Sequence, residues 1–555
     1  MDNSRHARHA QVSRWSFWLV GLGSLTWLLL RCIPKPARLA YPCQRAALAN
    51  SVGFGGYVLS LFGGVHLYHR LRQGHTPTRA ALVLAACLLL AALQGSLVVP
   101  PQPTRAAALL PAWTSPTAVS DVFAVTDAPT PVCSLDGGVL PSTPPCSDPA
   151  VALRDDGVDA LLALMAIHGV YLYRTDAHPD GLVAEDGIVV IKINNQWGGD
   201  GDGDGRGRLA TNTDVLKGLI WRILQHPAGF QGEVVVAENT QFEKDWDITP
   251  ANAQDPNQSF QDVIAAFQSQ EYPVSRFDWT TLNENTINGG AVDAGDYPTG
   301  EYARGNNDNA YILLEDAAGS GTNELSYPKF HTAGGADVSM RYGVWDDSSY
   351  DTNRLTLINL PVLKRHGMAG ATAAWKNLIG FVTISAETDR FGGWDEMHRF
   401  FWGYAAASGD PGYGLLGREL ALVRAPDLNL VDAIWVGYQD NTSGNASRQN
   451  ILLASTDPFA VDWYASEYVL RPLDEYSETD TSAARGGVFR SATRTNQDAA
   501  LAVWPGGSVQ YPYIDLLDTD GVTPSVAEKN QMNAYVAGVT PLPNQAMFLP
   551  LVTTP

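Results

Sequence analysis

The chain has 555 residues, a formal net charge of −21 and hydrophobic residues at 45% of its positions. This length exceeds that of one ordinary domain, so several segments with different roles are expected. The acidic balance argues against nucleic acid as a partner, because negative side chains repel the phosphate backbone.

The N-terminal segment is basic and contains the apolar runs of the chain. Residues 1–105 hold eleven Lys or Arg and a single acid, Asp2. Two charge-free runs, at 15–30 and 80–99, and a glycine-rich apolar run between them at 48–68 predict three transmembrane helices, with two as the alternative. A signal peptide is another interpretation of the first run, but no small-residue cleavage site follows it.

The basic residues around the expected membrane helices bear on which side of the membrane the rest of the chain lies. The basic residues that flank the apolar runs give only a slight orientation bias. After Arg105, however, no basic residue occurs before Arg154, as expected of a segment that is moved across a membrane. We therefore expect residues 1–100 to lie in a lipid bilayer, and the C-terminal part to be extracytoplasmic.

Residues 101–150 are expected to form an extended linker. Eleven prolines occur between Pro100 and Pro149, and such a composition favours extended chain. Cys133 and Cys146 could close a short loop by a disulfide in an oxidising compartment, and two unpaired cysteines are the alternative. The chain has no Cys-x-x-Cys motif, so neither a zinc ribbon nor a cysteine-ligated iron–sulfur cluster is encoded.

From residue 151 to 555 short apolar runs alternate with amphipathic stretches, which predicts an α/β domain. Strands that are apolar on both faces and separated by helices favour a largely parallel, Rossmann-like sheet with helices on both faces. A stretch rich in Gly, Asn, Asp and Tyr, at 283–350, predicts a long insertion. The expected strands are 187–194, 232–239, 354–363, 428–436 and 450–455, and the expected helices are 213–225, 259–268, 372–379 and 458–470.

Polar and ionisable side chains occur at the ends of these strands. In open parallel sheets the ligand crevice lies beyond the carboxyl ends of the strands. Each residue also has an ordinary structural role open to it: Asp457 precedes Pro458 and would cap a helix, and His366 would be a loop residue. The residues delivered to this edge are Lys192, Asn194, Glu238, Lys364, His366, Asp432 and Asp457.

Several stretches of the chain resemble the Domain of Unknown Function 362 family. They are "VVIKINNQW", "HPAGFQGEVVVAENTQ", "INLPVLKRHGMAGATAAWKNLIGF", "DLNLVDAIWV" and "ILLASTDPFAVDWYAS", within residues 185–470. The N-terminal "GLGSLTWLLLR" is similar to the membrane-anchored members of that family. The resemblance implies no established reaction. Its motif positions in this chain are Lys192, Asn194, Glu238, Lys364, His366, Thr372, Lys376, Asn377, Asp432, Asp457 and Asp462.

Two classes of function remain open. In the first, Lys192, Lys364 and Lys376 hold an anionic small molecule, His366 transfers protons, and Asn194, Thr372 and Asn377 bind the ligand. Carboxylates would orient the lysines or bind a divalent cation, namely Glu238, Asp432, Asp457 and Asp462. In the second, the protein is a non-catalytic surface module that binds a partner protein or a cell-wall glycan. No nucleophile elbow, P-loop or His-Glu-x-x-His motif occurs.

The run "GGDGDGDGRGR" offers a further cation site. Asp200, Asp202 and Asp204 have the spacing of the first ligands of a twelve-residue calcium loop, but Thr211 stands at the twelfth position, where a Glu is needed. A looser calcium site on the three aspartates is one alternative. The interpretation we favour is a flexible glycine-rich loop over the mouth of the crevice.

Overall fold

The structure is a computed structural model, and it describes fifteen parts of the chain. None of the helices in these parts is long and apolar enough to cross a bilayer. The three expected membrane spans and the run from Asp200 to Asp204 lie outside them. The described residues are 110–135, 137–195, 206–238, 246–278, 286–288, 290–291, 311–314, 325–367, 369–380, 414–438, 446–473, 481, 488–503, 513–516 and 524–539.

Helices and strands alternate through most of the described chain, as the hydrophobic pattern predicts. The helices are α1 (Pro149–Ala152), α2 (Asp156–Ile167), α3 (Thr213–Leu224), α4 (Phe260–Gln268), α5 (Ala374–Asn377), α6 (Leu415–Leu422), α7 (Pro458–Ala465), α8 (Val488–Val503) and α9 (Pro524–Gln531). The strands are β1 (Ser120–Thr126), β2 (Ile188–Ile193), β3 (Glu233–Glu238), β4 (Val274–Asp278), β5 (Thr286–Ile287), β6 (Gly290–Ala291), β7 (Tyr311–Leu314), β8 (Leu325–His331), β9 (Asp337–Ser339), β10 (Gly343–Trp345), β11 (Tyr350–Asp351), β12 (Leu355–Leu360), β13 (Val362–His366), β14 (Gly370–Thr372), β15 (Leu428–Gly437), β16 (Ala446–Ser455) and β17 (Met532–Gly538).

A twelve-stranded sheet organises these elements. Its strand order is β17-β1-β16-β15-β12-β2-β3-β4-β5-β6, with β13 and β14 attached beside β15. The central strands β15, β12, β2, β3 and β4 are parallel, whereas β16 and β5 join it in antiparallel orientation. The prediction of a mixed α/β fold with a mostly parallel sheet is confirmed.

The chain fills this sheet outward from β2 in two directions. It first adds β3 and then β4 on one side, and later adds β12 and β15 on the other. The pairing of β12 with β2 is in continuous register from Leu355 opposite Ile188 to Leu360 opposite Ile193. The carboxyl ends of β2 and β12 therefore lie side by side where the direction of strand addition reverses.

Alternate residues of the central strands enter two separate cores. Val189 and Ile191 of β2 pack with α2, α3 and α4, whereas Ile188 and Val190 pack with α5, α6 and α7. Burial of a Val or Ile side chain contributes about 1.5–3 kcal/mol. Since both faces of the strand are covered, its sequence reads as a continuous apolar run.

Side chains at the helix starts fix where the helices begin. Asn212 accepts backbone N–H groups at the first turn of α3, and Ser259 with Asp262 forms a capping box at α4. Asp457 accepts the N–H groups of Phe459 and Ala460 at α7, whose first residue is Pro458. The structural alternative that the sequence offered for Asp457 is therefore present.

Part of the stretch expected to be an extended linker belongs to the sheet. Strand β1 pairs with β16 and β17, and it lies in an interval without proline between Pro116 and Pro129. Its apolar residues Val122 to Val125 are buried, and this burial stabilises a strand paired in the sheet relative to a solvent-exposed linker. Cys133 and Cys146 form a disulfide, which resolves the alternative that the sequence left open.

Two further expectations are modified in extent. The helix expected at 372–379 is a strand end followed by the single turn α5 and a 3-10 turn, Leu378–Gly380. The described parts of the expected insertion at 283–350 include a five-stranded sheet, β11-β10-β9-β8-β7. Its residues Tyr327 and Phe330 are buried in the same core as α5.

Candidate functional site

An ion pair joins the ends of β2 and β3. Lys192 Nζ lies 2.8 Å from Glu238 Oε1 and donates to the carbonyl oxygen of Ile193 at 2.6 Å. The second carboxylate oxygen, Glu238 Oε2, accepts the backbone N–H of Asn195 at 2.8 Å. Burial lowers the pKa of Lys192, and the Glu238 carboxylate opposes that shift. The two sequence candidates are thus brought together as a buried pair.

A row of asparagines continues from this pair across the sheet. Asn194 Nδ2 donates to Asn377 Oδ1 at 3.0 Å, and Asn377 Nδ2 donates to Asn359 Oδ1 at 2.8 Å. Asn359 Nδ2 in turn donates to Asn429 Oδ1 at 2.9 Å. All four are buried. Because buried amides require partners, this row fixes the relative positions of β2, β12, β15 and α5.

Lys364 of β13 is hydrogen-bonded to the same row of asparagines. Its Nζ donates to Asn194 Oδ1 at 3.1 Å and to the carbonyl oxygen of Leu209 at 2.7 Å. Strand β13 follows β12 directly and pairs with β15, so it extends the sheet beyond the end of β12. The resulting position places a second buried lysine beside Asn194.

Lys376 lies on α5 next to Asn377, and it differs from three of the other buried lysines in having no carboxylate partner among the described residues. It is 5% exposed. Lys192, Lys217 and Lys329 each form an ion pair with a carboxylate, but within the described residues Lys376 forms none. Burial, and then the charge of Lys192, lower its pKa to about 7. A substantial fraction of this amine is therefore neutral near neutral pH.

The hydroxyl of Thr372 is a second polar group without a partner in the described chain. The residue is 3% exposed, and its Oγ1 makes no hydrogen bond. Thr372 lies opposite Lys364 in the β13–β14 pair. Buried polar groups are nearly always hydrogen-bonded, and the Thr372 hydroxyl is one of several buried side-chain groups that have no partner among the described residues.

Helix α7 holds the short helix that carries Lys376. Asp462 Oδ1 accepts the N–H of Ala374 at 2.6 Å, and its Oδ2 accepts the N–H of Trp375 at 3.0 Å. Burial raises the pKa of Asp462 to about 8, and these two bonds oppose the shift. These contacts make Asp462 a positioning residue for α5.

Asp432 and Asp457 likewise hold backbone. Asp432 accepts the N–H groups of Asn212 at 2.7 Å and Ile434 at 2.9 Å. Asp457 accepts from Ser120 Oγ and from the N–H of Ile514 in addition to its helix-capping bonds. Burial raises the pKa of Asp432 to about 7 and that of Asp457 to about 6.

The carboxylate set expected for a divalent cation is not assembled in the part of the chain that the structure describes. There, no group of three or more His, Cys, Asp or Glu side chains could hold a metal ion. Glu238 pairs with Lys192, while Asp432, Asp457 and Asp462 hold backbone of different elements. Asp200, Asp202 and Asp204 lie outside the described residues.

His366 ends β13 and closes the turn to β14. Its Nδ1 accepts the backbone N–H of Ala369 at 3.1 Å, and the residue is buried. This contact gives the imidazole a structural role in the hairpin that carries Lys364 and Thr372. The role in proton transfer expected from the sequence stays a prediction.

Asn359 and Asn429 are site residues that strand-end reasoning missed. Both lie inside strands, whereas the edge rule favours residues near the carboxyl end of each strand. Their sequence signal is that "INLPVL" and "LNLV" each carry one asparagine in an otherwise apolar run. A buried amide in a strand that is covered on both faces needs a polar neighbour.

Comparison with known proteins gave one match, which is to a protein family and covers part of this site. No curated protein and no solved structure matches the chain significantly. One family does match, over a range that contains β12, β13, β14, α5 and α7 and thus Lys364, Lys376 and Asp462. Residues 354–467 of this chain are similar to the family described as Domain of unknown function (DUF362).

Proposed function

We propose that the protein binds an anionic small molecule at the carboxyl ends of β2, β12 and β13. The observation that carries this proposal is Lys376, a buried lysine that has no hydrogen-bond or ion-pair partner among the described residues and is repelled by Lys192. A buried ammonium group is costly unless a negative group faces it. A carboxylate or phosphate of a ligand supplies that group.

The strand order supports the same location. Central strands that are added outward in two directions from β2 follow the order of doubly wound α/β sheets. In those sheets the ligand crevice opens at the carboxyl ends, where the order reverses. Here that point lies between β2 and β12, next to Asn194 and Asn359.

The chemistry of the side chains favours an anion over a divalent cation. Lys192, Lys364 and Lys376 are buried at this edge, and the carboxylate of Glu238 is engaged by Lys192 and by the N–H of Asn195. The Thr372 hydroxyl adds a donor for a ligand oxygen. A cation would meet lysine charge, and among the described residues no group of three or more His, Cys, Asp or Glu side chains could hold it.

Calorimetric titration of the full chain tests this proposal. Inorganic phosphate and malonate serve as probes, at a pH below the pKa of Lys376. Loss of a hydrogen bond to a charged group costs about 1.5–3 kcal/mol, so Lys376→Met should weaken binding about 10- to 100-fold. Lys529→Met removes one charge outside the site and should leave binding unchanged. Equal affinity of wild type and Lys376→Met would contradict the proposal.

Membrane anchoring belongs to the proposal as well. It is supported by the charge-free runs at 15–30 and 80–99 and by the absence of basic residues between Arg105 and Arg154. The domain is then extracytoplasmic, consistent with a chain that can form the Cys133–Cys146 disulfide. Alkaline extraction of membranes should leave the full chain in the pellet, and protease added outside sealed cells should digest the part beyond Arg105.

A further inference from the structure

We propose that Lys376 forms an imine with a carbonyl compound that also carries an anionic group, such as a 2-oxo acid. This inference rests on the proposed function, because Lys192 and Lys364 of the lysine cluster hold the anionic group of the substrate while the neutral amine of Lys376 meets its carbonyl carbon. It adds a covalent step and a substrate class to that site.

The environment of the Lys376 amine favours its neutral, nucleophilic form. An amine attacks a carbonyl carbon only in its neutral form, and lysines are activated for this by desolvation or by a neighbouring cation. Lys376 has both, since it is buried and Lys192 is the charged group that acts on it. Its pKa of about 7 follows from these two causes.

Two other buried lysines, Lys217 and Lys329, differ from Lys376 because each lies close to a carboxylate. Lys217 Nζ lies 2.9 Å from Asp214 Oδ1, and Lys329 Nζ lies 3.6 Å from Asp337 Oδ1. A carboxylate at that distance favours the protonated ammonium, which is not a nucleophile. Within the lysine cluster itself, Lys192 Nζ lies 2.8 Å from Glu238 Oε1, whereas Lys376 has no such carboxylate in the described chain. The cluster therefore contains a lysine suited to attack beside one suited to hold charge.

Hydrogen bonds at both ends fix the helical turn that carries Lys376. Its helical turn is fixed at the start by Asp462, which accepts two backbone N–H groups, and at the end by Asn377, which is hydrogen-bonded to Asn194 and Asn359. A fixed backbone reduces the entropy lost when the amine meets a bound carbonyl group.

The reaction balances without a redox partner. The nitrogen lone pair of neutral Lys376 forms a bond to the carbonyl carbon as the C=O π bond breaks, and one of the two amine protons moves to the carbonyl oxygen to give a carbinolamine. The nitrogen lone pair then forms the C=N bond as the C–O bond breaks, and the hydroxyl leaves as water with the second amine proton. The sum is amine plus carbonyl compound giving imine plus water. The unsatisfied hydroxyl of Thr372 is a donor available to the departing oxygen.

Reductive trapping on the wild-type full chain tests the inference. The protein is incubated with pyruvate and sodium cyanoborohydride, digested, and analysed by mass spectrometry for reduced adducts on each lysine. Lys376 should be labelled at least 10-fold faster than Lys529, and an excess of propionate, which has the anionic group but no carbonyl, should slow labelling. Lys376→Arg keeps the positive charge and should remove the adduct.

The outcomes separate this inference from the proposed function. Binding of phosphate or malonate without labelling of Lys376 overturns the imine and leaves the anion site standing. Absence of both binding and labelling overturns both. Labelling of Lys376 and Lys529 at equal rates also overturns the imine, since it shows ordinary surface reactivity. The mapping is made on the wild type, so failure of Lys376→Arg to fold does not remove the test.

Discussion

Asn194 and Asn377 are joined by a hydrogen bond of 3.0 Å although 183 residues separate them in the chain. The bond ties the end of β2 to the helical turn that carries Lys376. Asn377 also donates to Asn359 of β12, so one amide links three elements. The position of the unpaired lysine therefore depends on a buried amide row, and this dependence can be measured.

Asn377→Ala should destabilise the fold by about 2–3 kcal/mol, because it leaves Asn194 Nδ2 and Asn359 Oδ1 buried without partners. Asn257→Ala, at an exposed asparagine, should change stability by less than about 0.5 kcal/mol. Chemical denaturation of the full chain measures both. A loss at Asn377 no larger than at Asn257 would show that the amide row contributes nothing to stability.

The Lys192 and Glu238 pair should behave as a buried ion pair. Glu238→Leu leaves the Lys192 charge uncompensated and should cost about 3–5 kcal/mol, whereas the double variant Lys192→Met with Glu238→Leu should cost much less. A double-mutant cycle by denaturation, including Lys192→Met alone, isolates the coupling. Additive effects of the two single changes would mean that the 2.8 Å contact is not energetically coupled.

Lys376 should make stability depend on pH in a defined direction. Its pKa is about 7 in the folded protein against 10.5 for the ordinary side chain. Between these values the unfolded chain binds more protons, so stability rises with pH. Relative to Lys376→Met, the wild type should gain stability with a slope that approaches about 1.4 kcal/mol per pH unit.

Denaturation of both proteins from neutral to alkaline pH measures this difference, because the titrations of groups that do not interact with Lys376 cancel between them. Below the pKa of Lys376 the difference should be independent of pH. A difference that is flat over the whole range would indicate that Lys376 keeps its ordinary pKa and meets a negative group.

Most of the sheet could be predicted from the sequence, but only part of the site. The five expected strands are present because their apolar residues alternate into two cores and both faces are covered. The edge rule for parallel strands predicts the proximity of Lys192, Asn194 and Lys364, whereas Lys376 is a candidate only through the family resemblance. The site residues Asn359 and Asn429 were missed because Asn359 lies inside β12 and Asn429 lies near the start of β15, which begins where β12 ends.

What the sequence could not reveal is which carboxylates are already used. Asp432, Asp457 and Asp462 have the composition of metal ligands, yet each accepts backbone N–H groups from a distant segment. Those partners are set by tertiary contacts that lack a local sequence pattern. Strand β1 was hidden for a different reason, since the surrounding prolines dominate the composition of 101–150.

The disulfide between Cys133 and Cys146 should stabilise the domain by about 2–3 kcal/mol, as expected for a short closed loop. The carbonyl oxygen of Cys133 also accepts from Lys217 Nζ at 3.3 Å, which connects the loop to α3. Cys133→Ser with Cys146→Ser should therefore lower the denaturation midpoint. Reductant should lower it for the wild type and leave the double variant unchanged; an equal response of both would contradict this role.

The most direct test of the anion site is a crystal of the full chain soaked in selenate, an anion that scatters anomalously. We predict an anomalous peak within hydrogen-bonding distance of Lys376 Nζ, at the edge where β2 and β13 end, and loss of that peak in Lys376→Met. Absence of a peak at Lys376, with its amine instead bonded to a carboxylate of the chain itself, would contradict the account.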